Sequence, residues 1–197
     1  MRDPRRLAVL ISGRGSNLRA LAEQARGYEV VLVASNKSHA PGLEWARSAG
    51  LPTWCWDRPG LAREQFDAAL SQAFADHCVG TVALAGYMRL LSSEFVSQWT
   101  GRIVNIHPSL LPKYKGIGTH AQALEAGDSV HGCTVHLVTE ELDSGKVLAS
   151  AEVPVEPGDT PQSLEARVLA AEHKLYPAAL AEFVSGSSSR GHPRDAR

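Results

Sequence analysis

Two polar side chains end an otherwise apolar run, Ile103-Val104-Asn105-Ile106-His107. Side chains alternate along a β-strand, so Asn105 and His107 share one face of this run. An amide donor beside an imidazole suits an acyl-transfer site, because the amide can stabilise an oxyanion and the imidazole can move a proton. A hydrogen-bonded pair that only closes a strand edge would have the same pattern. From these residues alone, both interpretations stay open.

A histidine and an aspartate follow further along the chain. His136 lies in the strand-like run Gly132–Val138, and Asp143 lies in the polar turn after it. Because Asp-x-Gly is a common turn signature, Asp143 by itself indicates a turn. His131 and Cys133 are candidate metal ligands near His136, but on a strand they point away from it. The sequence therefore predicts no metal site.

The segment Leu7–Leu18 has the pattern of a strand, a tight turn and the start of a helix. Gly13 and Gly15 allow close backbone approach, and Ser16 and Asn17 add polar side chains. The unpaired amides and the positive dipole end of a helix N-terminus suit a phosphate. The pattern therefore favours phosphate binding, with a plain glycine turn as the alternative.

Other familiar glycine-loop and nucleophile motifs fit poorly. Leu18 occupies the third-glycine position of a dinucleotide fingerprint, and Ser35-Asn36-Lys37 ends the second strand without a carboxylate for a ribose. The Gly-Lys-Ser/Thr of a nucleoside-triphosphate loop is absent from the sequence. No Gly-x-Ser-x-Gly elbow or activated cysteine indicates a covalent nucleophile. The remaining chemistry is acid–base and electrostatic catalysis of direct transfer between two bound substrates.

Alternating strands and helices must position these residues, and this alternation predicts parallel α/β architecture. The predicted parallel strands are Leu7–Ile11, Val30–Ser35, Pro52–Trp56, Thr81–Ala85 and Ile103–His107. The predicted helices between them are Asn17–Arg26, Gly42–Ala49, Leu61–His77 and Ser93–Gln98.

The sequence changes character after Pro108, where prolines and glycines predict an irregular loop. Two further strands, Gly132–Val138 and Val147–Val155, are expected to extend the sheet in antiparallel fashion. A last helix is predicted from Thr160 to about Leu175, with a break at Pro177 and a second part over Ala178–Val184. We expect one domain over residues 1–184 and a disordered tail over residues 185–197.

Composition limits the classes of partner. Among the 197 residues, 20 basic and 21 acidic side chains leave a formal charge of −1, whereas a sequence-independent nucleic-acid binder needs a strongly basic face. Cys55, Cys78 and Cys133 are odd in number and far apart, so they predict no disulfide framework. The apolar run Leu7–Ile11 is too short for a signal-peptide core or a membrane span. We expect a cytoplasmic protein with small-molecule substrates and with neither nucleic-acid nor membrane partners.

Several blocks of the sequence together resemble the folate-dependent phosphoribosylglycinamide formyltransferase family. The resemblance extends from Leu7 to about Leu180 and rests on Gly13-Arg14-Gly15-Ser16-Asn17-Leu18, Ser35-Asn36-Lys37, Leu84-Ala85-Gly86-Tyr87-Met88-Arg89-Leu90-Leu91, Asn105-Ile106-His107-Pro108-Ser109-Leu110-Leu111-Pro112, Gln122-Ala123-Leu124, Gly132-Cys133-Thr134-Val135-His136 and Asp143-Ser144-Gly145. It implies a single-domain, Rossmann-like formyltransferase fold, with a mostly parallel twisted sheet, an antiparallel C-terminal extension and helices on both faces. It also implies transfer of a formyl group from 10-formyltetrahydrofolate to the amine of N1-(5-phospho-D-ribosyl)glycinamide, in purine biosynthesis.

The resemblance further implies roles for the residues at matching positions. The catalytic residues would be Asn105, His107 and Asp143, with His136 in support. The ribonucleotide would contact Gly15, Ser16, Asn17 and Glu172. The folate would contact Arg63, Met88, Arg89, Leu90, Leu91, Asn105, Thr139, Glu140, Glu141, Leu142 and Asp143. No metal is implied, and the protein would be a monomer or a homodimer.

In the implied mechanism, Asn105 and protonated His107 stabilise the oxyanion, and Asp143 acts through an ordered water. The alternatives are a formyltetrahydrofolate hydrolase, a methionyl-tRNA formyltransferase and a non-catalytic nucleotide-binding module. The hydrolase typically has an N-terminal regulatory domain, and the tRNA enzyme has an extra C-terminal domain and a basic surface; we expect neither here. The intact trio argues against the non-catalytic module.

Three positions depart from some family members. Arg14 stands where the loop often has Asn, Gly118 stands where some members have His, and Leu169 replaces a polar residue near the ribonucleotide. Arg14 either adds a phosphate contact or points to solvent. The departures at Gly118 and Leu169 put a family contact at each position in doubt.

Overall fold

The computed structural model describes residues 3–57, 60 and 62–189. In chain order the strands are β1 (Arg6–Ile11), β2 (Glu29–Ser35), β3 (Thr53–Cys55), β4 (Thr81–Leu84), β5 (Ile103–His107), β6 (Val130–Leu137) and β7 (Val147–Pro154). The helices are α1 (Ser16–Glu23), α2 (Pro41–Ser48), α3 (Arg63–Asp76), α4 (Ser93–Gln98), α5 (Thr119–Glu125) and α6 (Pro161–Ser189).

The strands form one sheet with the order β3-β2-β1-β4-β5-β6-β7. The five strands from β1 to β5 pair in parallel, whereas β6 is antiparallel to both β5 and β7. The predicted parallel sheet with an antiparallel C-terminal extension is therefore confirmed. The strand order reverses direction between β1 and β4, and ligands commonly bind at the carboxyl ends of strands beside such a point.

Helices cover both faces of the sheet, because the buried strands are apolar on both sides. On β1, Leu7, Val9 and Ile11 pack into the apolar layer that includes residues of α1, α2 and α6. The alternate residues Ala8 and Leu10 pack into the second layer, with α3 and α4. The two-sided arrangement expected for this fold class is thus present.

The predicted break at Pro177 is wrong, because α6 runs without interruption from Pro161 to Ser189. A proline inside a helix cannot donate to the carbonyl four residues earlier, which here belongs to His173. The Gln24 side chain donates to that carbonyl instead, at 3.2 Å. This compensation comes from α1's C-terminal end and is not visible in the local sequence pattern.

Tyr176 anchors the same helix to the sheet. Its side chain is fully buried, and its hydroxyl lies 3.1 Å from the Leu84 carbonyl and 3.0 Å from the Val104 carbonyl. The phenol therefore donates to the backbone of two adjacent strands, β4 and β5. Burial of this ring gives α6 a fixed position across the carboxyl half of the sheet.

Three further differences concern element bounds. Helix α5 was not predicted; it is short and begins after Gly118, whose φ of 74° is left-handed. The disorder predicted for residues 185–189 is wrong, since α6 extends through Ser189, and the rest of the expected tail, residues 190–197, lies outside the described part of the chain. Leu61, the expected first residue of the third helix, also lies outside it. No described helix is long and apolar enough to cross a membrane.

Gly42 provides a test of the packing between α2 and the glycine loop. A methyl group at this position would lie 2.5 Å from Ile11 Cδ1 and 3.1 Å from the Gly13 carbonyl oxygen. We expect Gly42→Ala to lower the free energy of unfolding by about 1–3 kcal/mol in urea denaturation, because overpacking forces neighbouring atoms apart. Gly13→Ala is the control, since no atom lies within 4 Å of its added methyl. An equal loss in both variants would contradict this explanation.

Candidate active site

Asn105 and His107 lie on β5 and face the same side, as the alternation predicted. Val104 and Ile106 point to the opposite side and join the apolar layer with α6. Strand β6 is the neighbour of β5, and its pairing places His136 opposite Asn105 and Thr134 opposite His107. Antiparallel pairing therefore brings the third polar side chain of the site, His136, directly beside the first.

His107 is almost fully buried and is held from two directions. Its Nε2 lies 2.8 Å from the Tyr114 carbonyl oxygen. Because a carbonyl only accepts, Nε2 carries a proton and donates it. The other ring nitrogen, Nδ1, lies 3.4 Å from Asp143 Oδ2, which is longer than a normal hydrogen bond. His107 therefore has one nitrogen committed to the backbone and one directed to a carboxylate.

Asp143 occupies a left-handed backbone conformation, with φ of 48°, which Asp tolerates better than most residues. Its Oδ2 accepts a hydrogen bond from the Gly116 amide at 2.9 Å. Its side chain is only 7% exposed, and its Oδ1 lies 3.6 Å from His136 Nε2. The turn that the sequence indicated is real, and it directs the carboxylate inward between two imidazoles.

His136 determines how the Asn105 amide is oriented. His136 Nδ1 lies 2.9 Å from the Leu137 carbonyl, so this nitrogen carries a proton. Its Nε2 lies 3.2 Å from Asn105 Nδ2. Burial lowers the pKa of His136, and this effect outweighs the attraction of Asp143. A neutral His136 accepts one Asn105 N–H through Nε2, which leaves the second N–H of that amide available for another acceptor.

Residues 108–118 form the loop that supplies both backbone contacts, and Thr134 fixes its first part. The Thr134 hydroxyl donates to the Ser109 carbonyl at 2.7 Å and accepts from the Leu111 amide at 3.1 Å. At the other end of the loop, Thr119 Oγ1 donates to the Pro108 carbonyl at 2.6 Å. The loop is therefore fixed at both ends on the sheet side of the site.

The same loop is also joined to residues 138–146. Lys115 Nζ lies 3.3 Å from Glu141 Oε1 and also contacts the Ser144 hydroxyl. Together with the Gly116–Asp143 hydrogen bond, these contacts connect the two loops that border His107.

The glycine loop ends at Gly15, whose φ of 73° is left-handed, and α1 begins at Ser16. The helix has no side-chain cap and no acidic residue in its first turn. Its Asn17 donates from Nδ2 to Glu172 Oε2 at 2.7 Å, while Asn17 Oδ1 is buried without a hydrogen-bond partner. Burial raises the pKa of Glu172, and the Asn17 hydrogen bond opposes this shift. The four residues expected to contact the ribonucleotide therefore lie together, around an open helix N-terminus.

Ser12 links this region to two other motifs. Its hydroxyl donates to Asn36 Oδ1 at 2.7 Å and accepts from the Met88 amide at 2.8 Å. The Ser12 amide donates to the Gly86 carbonyl at 3.1 Å. One serine thus joins the carboxyl ends of β1, β2 and β4.

The residues expected to contact folate lie on two segments. Apolar side chains project into solvent from both of them: Met88 is 73% exposed, Leu90 62% and Leu142 54%. In the second segment, the Thr139 hydroxyl donates to the Glu141 carbonyl at 3.1 Å, and Glu140 and Glu141 are exposed. These apolar groups form an exposed rim beside the buried polar centre.

Arg63 is the exposed first residue of α3. One turn later, Phe66 lies under the Arg89 guanidinium, 4.9 Å from the ring centre, and Asp67 accepts from the Ser92 amide at 2.7 Å. These contacts put the first turn of α3 next to the segment containing Met88 and Leu91.

The remaining histidine–cysteine cluster contains no metal-like geometry in the described residues, where no group of three or more His, Cys, Asp or Glu side chains is arranged to hold an ion. His131 Nε2 lies 3.1 Å from His120 Nδ1. Burial lowers the pKa of both rings. Burial also raises the pKa of the Cys133 thiol to about 12.

Sequence reasoning missed the groups that hold the catalytic candidates. The Tyr114 carbonyl and the Gly116 amide contact His107 and Asp143 through the backbone, so residue identity carried no signal for them. Thr134 had a weak signal, because it shares a strand face with His136. The whole constellation of Asn105, His107, His136 and Asp143 is nevertheless assembled within one site.

Comparison with known proteins is consistent with this geometry. Residues 5–180 match the family model described as formyl transferase. The chain is 46% identical over 191 residues to the trifunctional purine biosynthetic protein adenosine-3 of Homo sapiens, covering 94% of this chain and only 19% of that protein. It is 46% identical over 185 residues to the phosphoribosylglycinamide formyltransferase of Escherichia coli K12, covering 91% of this chain and 87% of that enzyme.

Solved structures give the same result. The phosphoribosylglycinamide formyltransferase of Brucella melitensis superposes with a TM-score of 0.87 at 46% identity, covering 98% of this chain and 99% of that chain. Glycinamide ribonucleotide transformylase 1 of Symbiobacterium toebii superposes with a TM-score of 0.88 at 43% identity, covering 92% and 88% of the two chains. With a matching family model, matching near-full-length relatives and a shared fold, the chain belongs to the formyl transferase family and, within it, to the phosphoribosylglycinamide formyltransferases.

Proposed function

We propose that this chain transfers a formyl group from 10-formyltetrahydrofolate to the primary amine of N1-(5-phospho-D-ribosyl)glycinamide. The observation that carries the proposal is the buried cluster of Asn105, His107 and Asp143 at the carboxyl end of β5. The neighbouring parallel strands β4 and β1 lead, at the same edge of the sheet, into the exposed segment Met88–Leu91 and the open N-terminus of α1. The relatives named for this reaction and for purine biosynthesis support the choice of substrates.

In the proposed complex, the phosphate of the ribonucleotide lies on the first amides of α1, at Gly15, Ser16 and Asn17. The absence of an acidic residue or a side-chain cap in that first turn supports this position. Glu172, already bonded to Asn17, accepts hydrogen bonds from the ribose hydroxyls. This arrangement directs the amine of the substrate toward β5.

The folate occupies the other side of the site, along Met88–Leu91 and residues 139–143. The exposed apolar side chains there would be covered by a flat ring system and its linker, which removes apolar surface from water. Arg63, at the first turn of α3, meets the negatively charged glutamate tail of the folate.

Transfer proceeds by direct attack. The amine nitrogen forms a bond to the formyl carbon, and the carbonyl oxygen becomes an oxyanion. The free N–H of Asn105 and a protonated Nδ1 of His107 stabilise that oxyanion. Asp143 accepts a proton from the attacking nitrogen and returns it to the folate nitrogen as the carbon–nitrogen bond to folate breaks. In the net reaction, the formyl group passes from the folate to the amine, and one proton passes from the amine to the folate nitrogen.

The position of Asp143 supports its role in keeping His107 charged. Its carboxylate faces Nδ1 of that ring at 3.4 Å, and the ordered water expected in the proton transfer stays a prediction. With Nε2 donating to Tyr114, a second proton on Nδ1 gives an imidazolium beside a carboxylate. His136, by contrast, acts in its neutral form as the acceptor that orients Asn105.

Three specific observations weigh against the alternative functions. The helix N-terminus with Asn17 and Glu172 suits a phosphorylated ribose, for which a formyltetrahydrofolate hydrolase has less need. The formal charge of −1 does not favour a tRNA substrate. A non-catalytic binding module would have no need for the Asp143 carboxylate buried between two imidazoles.

A substrate-omission assay tests the proposed reaction. We expect tetrahydrofolate to form from 10-formyltetrahydrofolate only when the ribonucleotide is present, because the amine is the nucleophile. The measurement follows folate absorbance and formylated product with each substrate omitted in turn. Formate release without the ribonucleotide would support the hydrolase instead, and no turnover with either substrate set would support the non-catalytic module.

Replacement of Asp143 tests the proton transfer. We expect Asp143→Asn to fold normally but to lower kcat by about 100-fold or more, because an amide cannot carry the proton between the two nitrogens. Asp76→Asn, on the exposed end of α3, is the matched control and should keep wild-type kcat. Near-normal turnover in Asp143→Asn would remove Asp143 from the mechanism.

The buried histidines predict a pH dependence of stability. Burial lowers the pKa of His120, His131 and His136, so the folded state resists protonation that the unfolded chain accepts below about pH 6.5. The free energy of unfolding should therefore fall between about pH 7.5 and about pH 5.5, as measured by urea denaturation.

Glu172 titrates in the opposite sense and gives a control for this measurement. Burial raises its pKa, so its folded form takes up a proton more readily as the pH falls, which adds stability. Glu172→Gln removes that opposing contribution, and its stability should decline more steeply than that of the wild type. A flat or rising profile in this variant would contradict the assignment of neutral buried imidazoles.

A further inference from the structure

Arg14 lies in the glycine loop, directly before the Gly15 cap of α1, and its side chain is 81% exposed. Its Nη2 lies 3.6 Å from Glu165 Oε1 on α6, and Glu165 is itself 50% exposed. That distance exceeds a hydrogen bond, and among the described residues the guanidinium donates none. The arginine therefore holds a charge beside the helix N-terminus with its donors uncommitted.

An exposed ion pair of this kind contributes little to folding, because water screens both charges and two long side chains lose freedom. A packing role for Arg14 is also excluded by its exposure. The pair is therefore easily broken by any ligand that offers the guanidinium a better acceptor.

Glu165 lies on the same face of α6 as Glu172. Glu172 follows it by two helical turns, a rise of about 10 Å. Its charge is close enough to act on Glu172, whose pKa is raised chiefly by burial and further by Glu165. It also acts on His120 at the start of α5, whose pKa is lowered chiefly by burial while Glu165 opposes that shift. Glu165 therefore borders the space in front of Asn17 and Glu172.

A second observation marks that space as a ligand site. Asn17 is only 8% exposed, and its Oδ1 is buried without a hydrogen-bond partner, although its Nδ2 is bonded to Glu172. The first turn of α1 provides amides and no acidic side chain. A phosphomonoester would carry about −1.5 to −2 charges at neutral pH, and it would meet the Glu165 carboxylate at the border of the site unless a cation lay between them.

We propose that Arg14 is a mobile phosphate ligand that Glu165 holds ready in the free protein: when the ribonucleotide binds, the guanidinium leaves Glu165 and donates to the phosphate oxygens. This inference rests on the proposed function, because it takes the phosphate to lie on Gly15–Asn17. A guanidinium binds phosphate oxygens through two parallel hydrogen bonds, which are stronger than its screened contact with one carboxylate. Arg14 thus acts as a specificity residue for the phosphorylated substrate and takes no part in the chemical step.

The test compares two ligands that differ only in the phosphate: the ribonucleotide and the glycinamide riboside. In isothermal titration calorimetry, Arg14→Ala should weaken ribonucleotide binding by about tenfold, the value of one partly exposed charge-assisted contact. Riboside binding should change by less than about twofold, since it has no group for the guanidinium. Arg19→Ala is the matched control, because Arg19 is also exposed on α1 but stacks on Trp45, 5.5 Å from the ring centre; it should leave both affinities unchanged.

Kinetics and the partner variant provide independent readouts. Arg14→Ala should raise the KM for the ribonucleotide while kcat and the KM for the folate stay constant, and its unfolding midpoint should match the wild type. Glu165→Gln should tighten ribonucleotide binding by about two- to threefold, because it releases Arg14 and removes a repelling charge.

The outcomes separate the inference from the function on which it rests. Wild-type affinity for the ribonucleotide in Arg14→Ala, with transfer activity intact, overturns the role of Arg14 alone. Equal weakening of ribonucleotide and riboside in that variant also overturns it, since the effect would then not act through the phosphate. Failure of the wild-type protein to bind the ribonucleotide or to formylate it overturns the proposed function together with this inference.

Discussion

The buried contact of Asp143 with two imidazoles constrains the arrangement of the rest of the site. A carboxylate taken out of water is unstable unless donors or opposite charge compensate it. Here the Gly116 amide donates to Asp143 and Nδ1 of His107 faces it at 3.4 Å, while the neutral His136 ring packs on its other side. These groups come from different parts of the chain, so residues 108–118, β6 and the loop after it must all be in register before the carboxylate can lie inside. Two further contacts help to meet this requirement. The Tyr114 carbonyl holds Nε2 of His107, and Lys115 contacts Glu141 in the loop of residues 138–146.

Helix α6 makes a corresponding link on the other face. Tyr176 ties the helix to the ends of β4 and β5, and Glu172, one turn earlier, reaches Asn17 at the start of α1. The Gln24 side chain takes the carbonyl that Pro177 leaves without a backbone donor, and α6 continues through this position without interruption. The spacing between the glycine loop and the end of β5 is therefore fixed by one helix, and our mechanism depends on that spacing.

The sequence predicted the elements that depend on local patterns, but it did not predict contacts between residues that are distant in the chain. The alternation of apolar runs and helical segments predicted the bounds of β5 and α4 correctly. Two strand-like runs with no long helix between them predicted the antiparallel addition of β6 and β7. The resemblance to the family, and not local spacing, placed Asp143 in one site with His107. An aspartate that only forms a turn and one that points into a site have the same local sequence. The prediction at Pro177 was wrong because the donor that compensates for the proline, Gln24, lies 149 residues from His173, whose carbonyl it takes. The Tyr114 carbonyl and Gly116 amide could not be foreseen, because every residue has these groups.

The position of the site on the sheet explains why direct transfer suits this fold. Val104 and Ile106 face the layer of α6, which carries Glu172, whereas Asn105 and His107 face the opposite side, toward the layer of α3. A ribonucleotide held by α1 and α6 and a folate held near α3 would therefore approach from different faces. Their reacting atoms can meet only beyond the carboxyl end of β5, where the sheet no longer separates the two layers. Because the residues proposed for the chemistry already lie at that edge, the formyl group can pass directly between the substrates without a covalent intermediate on the protein.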